Sequence, residues 1–144
     1  MGYLLAVRIP FVVLTAVAFA LVAACSAAPQ ADVSDAGLVM ELRDYVVKPN
    51  LATVKAGKVK IGIRNTAGMT HNLIVLKTET PNDKLAIDGG AAKAKEEGKV
   101  GGIDTIGGGR VAALTLDLPA GSYVAICNIA GHYQLGMHAA FKVE

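Results

Sequence analysis

Residues 110–144 read RVAALTLDLPAGSYVAICNIAGHYQLGMHAAFKVE. Leu114, Leu116 and Leu118 alternate onto one face of a strand that ends at the turn Pro119-Ala120-Gly121. A second strand follows the turn, and MHAAFKVE closes the segment as a third. Between the last two lies CNIAGHYQLGM, residues 127–137, with cysteine, histidine and methionine at intervals of five among small and apolar residues.

The same two-residue period recurs upstream. Leu38, Met40 and Leu42 share a face in LVMELRD, and Val59, Ile61 and Ile63 alternate with Lys58, Lys60 and Arg64 in KVKIGIRN. NLIVLKT, residues 72–78, is almost continuously apolar, as in a strand covered on both faces. Residues 80–110 interrupt the series as an insert. Their middle, Ala91 to Lys99, holds helix-favouring residues without an apolar face and predicts one short exposed helix between glycine loops. No Gly-x-x-x-x-Gly-Lys-Ser/Thr phosphate loop is present. Seven or eight short strands with turn signals predict an all-β fold, an antiparallel Greek-key sandwich.

The first 24 residues belong to another class. Arg8, the apolar run Ile9–Ala24 and the small residues before Cys25 form a secretory signal, and VAAC resembles a bacterial lipobox. That resemblance implies cleavage before Cys25 and its lipidation, with 25–37 as a flexible tether and the domain over 38–144. The alternative is an uncleaved anchor, although the run is short for a spanning helix. Either reading places the domain outside the cytoplasm, tethered to a membrane. Arg8 is the only charged side chain removed, leaving 13 basic and 12 acidic groups. Such balance gives no footprint for nucleic acid.

Lipidation would consume Cys25 and leave Cys127 as an unpaired thiol in an oxidising compartment. A Cys25–Cys127 disulfide is the plainer alternative. Three histidines exist, His71, His132 and His138, with His71 entering the apolar run from a glycine-containing loop. Singly, each of these residues has an ordinary structural explanation. Jointly, Cys127, His132, Met137 and His71 make a soft donor set of thiolate, imidazoles and thioether, suited to one copper cycling between Cu(I) and Cu(II). Zinc is the weaker alternative, because it would leave Met137 without a role.

Taken together, CNIAGHYQLGMHAAFKV, LPAGSYVAIC, VKAGKVKIGIRNTAGMTHNLIVL and YVVKPN resemble a cupredoxin, the small blue type 1 copper class that includes plastocyanin and azurin. The Cys-x4-His-x4-Met spacing is similar to that of auracyanins, rusticyanins and sulfocyanins, and longer than plastocyanin's. The resemblance covers 38–144 apart from the insert. It implies His71, Cys127 and His132 as equatorial ligands and Met137 as the axial one. It also implies that Asn72 braces the ligand loop, while His138 points away.

By the same resemblance the His132 ring edge lies near the surface. Gly131, Tyr133, Leu135, Gly136 and Met69 would then form an uncharged patch where a redox partner docks. The function implied is a monomeric, lipid-anchored one-electron carrier between membrane redox proteins such as a cytochrome or a terminal oxidase. Three histidines cannot supply the second copper centre that copper enzymes need, so no catalytic residue is assigned. The alternative is a copper carrier or store delivering the metal to a membrane oxidase, against which stands the absence of a methionine or histidine cluster.

Overall fold

A computed structural model describes residues 30–144; the predicted signal and Cys25 lie outside the described residues. Eleven strands are described: β1 (Leu38–Arg43), β2 (Val46–Pro49), β3 (Thr53–Val54), β4 (Gly57–Asn65), β5 (His71–Lys77), β6 (Ile87–Asp88), β7 (Lys93–Ala94), β8 (Lys99–Ile106), β9 (Val111–Leu118), β10 (Gly121–Ile126) and β11 (His138–Val143). One sheet has the order β2-β1-β4-β9 and a second β3-β11-β10-β5-β8, with β6-β7 as a separate ribbon. Consecutive strands pass repeatedly between the two sheets, which interleaves distant segments as Greek-key linkage does.

The alternations decide which faces meet. Leu38, Met40 and Leu42 from β1 and Val59, Ile61 and Ile63 from β4 are buried in one core with Leu73 and Val75 from β5 and Tyr123, Ala125 and Phe141 from the same sheet. Cys127 and Met137 belong to this core too. Among the described residues no helix is long and apolar enough to cross a membrane.

Four details differ from the expectation. The sheets are mixed rather than antiparallel, because β1 runs parallel to β4 and β3 parallel to β11. No helix forms at 91–99. The segment instead makes β7, a turn and the start of β8, because Ala94 is drawn into a second apolar cluster with Ile74, Leu76, Val124, Ile126 and Tyr133. Burying the Ala94 methyl is worth about 0.8 kcal/mol, against a helix preference of a few tenths per residue. This cluster is what covers the outer face of β5. The insert, in other words, is a lid on the second sheet.

The third difference is β8, whose glycines read as a loop. A side chain on Gly101 would meet Leu116 at 2.5 Å and one on Gly102 the Leu73 carbonyl at 2.5 Å, so these glycines permit a close-packed strand. The fourth concerns the tether. Residues 30–37 lie against the sandwich: Val33 is buried, Ala31 N–H donates to the Val111 carbonyl, and Asp35 pairs with Lys60. Any free linker therefore ends before Gln30.

Candidate metal centre

Three strand ends deliver the chemistry-bearing side chains. His71 opens β5, Cys127 follows β10 directly, and Met137 stands immediately before β11. Between them the loop folds on itself. Cys127 N–H donates to the Met137 carbonyl at 3.0 Å, Met137 N–H to His132 at 3.1 Å, and His132 N–H to Ile129 at 2.9 Å. Gly136 takes φ +112° with the Tyr45 carbonyl 3.3 Å from where a Cβ would stand, a position where any side chain would be strained.

The result is a compact donor group. Cys127 Sγ lies 3.7 Å from His71 Nδ1 and 3.5 Å from His132 Nδ1, and the three ligand atoms all fall within 4.8 Å of one another. The two imidazoles meet edge-on, 5.2 Å between centroids. His71, Cys127 and Met137 are fully buried, whereas His132 is partly exposed. His138 stands apart, its Nδ1 accepting from Asn82 Nδ2 at 2.7 Å.

Electrostatics prepare this group for a cation. Burial, and then the neighbouring His132, hold the His71 pKa below its ordinary value, so the ring is neutral at neutral pH and keeps a lone pair for a cation. Burial pushes the Cys127 thiol up, opposed in part by N–H groups of Asn72 and Ile129. The thiol can give its one S–H to only one of the two imidazole nitrogens facing it, and sulfur is a weak hydrogen-bond partner for both. A soft cation taking the thiol proton's place would satisfy all three donors at once. The residues fit the metal.

Asn72 touches the ligand loop at two points. Its N–H donates to Cys127 Sγ at 3.4 Å and its Oδ1 accepts from Asn128 N–H at 2.6 Å. The rim is redistributed. Met69 and Leu135 are exposed, at 38% and 59%, while Gly131 and Gly136 are intermediate. Tyr133 is buried and holds the insert instead: its hydroxyl donates to the Asn82 carbonyl and accepts from Leu85 N–H. It is therefore no part of an exposed patch. Tyr45 takes that place, 41% exposed and edge-on to the His132 ring at 5.8 Å. Neither Tyr45 nor the buried Asn65 and Asn128 stood out in the sequence. Asn128, next to the cysteine, offered the one signal: a polar residue flanked by apolar ones in a tight loop.

The family model described as the Sulfocyanin (SoxE) domain matches residues 16–144. No curated protein sequence matches the chain. Among solved structures, the dithionite-reduced auracyanin of Roseiflexus castenholzii aligns at a TM-score of 0.56 and 22% identity, covering 74% of this chain and 94% of its own. Auracyanin A of Chloroflexus aurantiacus, titled a "blue" copper protein, aligns at 0.52 and 22%, covering 74% and 98%. Rusticyanin of Thiobacillus ferrooxidans aligns at 0.52 and 20%, covering 74% and 75%. The structural likeness shows the fold, a cupredoxin sandwich. With the family match spanning nearly the whole sequence, the chain belongs to the sulfocyanin (SoxE) domain family.

Proposed function

We propose that this protein is a membrane-tethered type 1 copper protein that passes single electrons between membrane redox partners. The observation that carries the reading is the convergence of His71 Nδ1, His132 Nδ1 and Cys127 Sγ at one end of the sandwich. Met137, buried at the same loop closure, supplies a thioether that suits copper and not zinc. Bound copper supplies a Cu(I)/Cu(II) couple.

The chain's own residues do the remainder. His71 and Cys127 keep water out through complete burial, and the loop hydrogen bonds hold the ligands against rearrangement. Such enclosure suits a resident metal better than one handed on, so electron transfer is preferred over delivery. His132, partly exposed beside Tyr45, is the contact through which a cytochrome or terminal oxidase would exchange electrons. Lipid on Cys25 would confine the protein to the plane of such partners. The chain joins the sandwich at Gln30, whose side chain donates to the Gly109 carbonyl, and Gly109 N–H donates to Ala67, two residues from Met69. A tether on Cys25 would thus enter at the metal end. Five residue steps reach at most about 18 Å, short enough to keep the rim close to the bilayer.

The test is the full chain, detergent-solubilised and given Cu(II). An intense visible charge-transfer band that bleaches reversibly with mild reductant is expected. A colourless protein that holds Cu(I) and yields it readily to a chelator would replace this reading with delivery. Docking is tested separately by Leu135→Glu. This change is expected to slow electron exchange with a membrane cytochrome by about 10-fold or more, within the range one interface shows for association rates. The reduction potential should hold. Unchanged exchange would move the docking face elsewhere.

A further inference from the structure

Asn128 directly follows Cys127 and is only 2% exposed, yet every polar atom of its side chain is engaged by the insert. Its Oδ1 accepts from Ala94 N–H at 2.8 Å, and its Nδ2 donates to the Ala94 carbonyl at 2.9 Å. The amide thus pairs with both main-chain groups of Ala94, as a one-residue strand would pair with β7. The second Nδ2 hydrogen goes to Glu96 Oε1 at 2.9 Å, and Glu96 is itself held by Lys99. A fully satisfied buried amide has one orientation.

The main chain of Asn128 is held from the other side, where its N–H meets Asn72 Oδ1. The peptide joining Cys127 to Asn128 is therefore gripped between β5 and the insert. Further along the loop, Gly131 N–H donates to the Ala92 carbonyl at 2.8 Å. None of these bonds involves a donor atom of the metal group. All of them fix where those atoms stand.

We propose that Asn128 is a positioning residue: it fastens the cysteine of the metal centre to the 82–96 part of the insert, making that ribbon part of the site's support. The proposal rests on the copper reading for its spectroscopic consequences and on metal-free contacts for its mechanical ones. It gives the insert a task beyond covering apolar surface. The Asn128 contact with the insert should govern how firmly the thiolate is held and how fast copper leaves.

The experiment compares full-length wild type with Asn128→Ala, Glu96→Ala and Tyr133→Phe. Tyr133→Phe loosens the insert at Asn82 and Leu85 without touching the Asn128 contacts. In metal-free protein, Asn128→Ala is expected to speed amide exchange at Ala94 and at 128–131 by about 10-fold or more, with β4 and β9 unaffected. In copper-loaded protein it should raise the rate of copper loss to excess chelator about 10–100-fold and alter the EPR spectrum. Glu96→Ala, which removes one of three side-chain bonds, should show smaller changes of the same kind. Tyr133→Phe should lower stability while keeping the wild-type spectrum.

The proposal is overturned if Asn128→Ala is less stable but keeps wild-type copper release, spectrum and exchange at 128–131. Should that variant fail to fold, Glu96→Ala carries the same readouts, and their invariance overturns the proposal equally. A wild-type protein without the intense band would sink the copper reading alone, since amide exchange tests the clamp without metal.

Discussion

Cys127→Ser is expected to abolish the intense visible band and to weaken copper binding by more than the ~10–100-fold typical of losing a supporting contact around a metal. Serine offers a hard oxygen that stays protonated at neutral pH, where the site presents a soft sulfur to a soft ion. No other described residue can replace it. The only other cysteine, Cys25, lies outside the described residues. The fold should survive, because the serine hydroxyl can donate to one of the two imidazole nitrogens that now face the thiol. Circular dichroism and a metal-free melting temperature within a few degrees of wild type would separate loss of the ligand from loss of the fold. A coloured Cys127→Ser protein would refute the thiolate assignment.

Asn65→Leu is expected to cost roughly 2–5 kcal/mol of stability. Asn65 is 2% exposed at the end of β4. Its Nδ2 donates to the carbonyls of Met69, Ile106 and Gly107 at 2.8–3.0 Å, and its Oδ1 accepts from Ala67 N–H at 3.1 Å. One amide ties the end of β4, the loop before His71 and the end of β8. Leucine fills the volume but removes this donor and acceptor from buried main-chain groups. For a domain of this size the loss corresponds to a fall in melting temperature of roughly 8–20 °C. Urea titration would measure it, and a cost below about 1 kcal/mol would show that water replaces the amide.

The fold class was legible because β1, β4 and β9 each carry an apolar alternation that survives without its neighbours. The metal group was legible for a different reason. Thiol, imidazole and thioether are rare enough that three within eleven residues demand a common explanation. What escaped the sequence depends on contacts between distant segments. Ala91–Lys99 reads as helix because its strand state is imposed by Ala94 joining Ile74 and Val124 and by the Asn128 amide. β8 hides behind glycines whose function is closeness to Leu116 and Leu73. Tyr133 and Tyr45 exchange places for the same reason. An aromatic residue in a loop does not reveal whether its hydroxyl has a buried partner, and Tyr133 finds two in the insert while Tyr45 lies open beside His132.

β11 sits between β3 and β10, inside the five-stranded sheet rather than at its edge. It is also the last of the described strands in sequence order, and Met137 immediately precedes it. During synthesis the nascent polypeptide thus carries His71 long before it has the means to use it. Until residues 127–143 emerge, β3 has no neighbour in the sheet, a gap stands beside β10, and the thiol, second imidazole and thioether of the metal group do not yet exist. Closing the gap and completing the donor set become one event. A half-made chain would have neither a finished fold nor a competent trap for a redox-active ion, so maturation is ordered in time by where a single strand falls in the sequence.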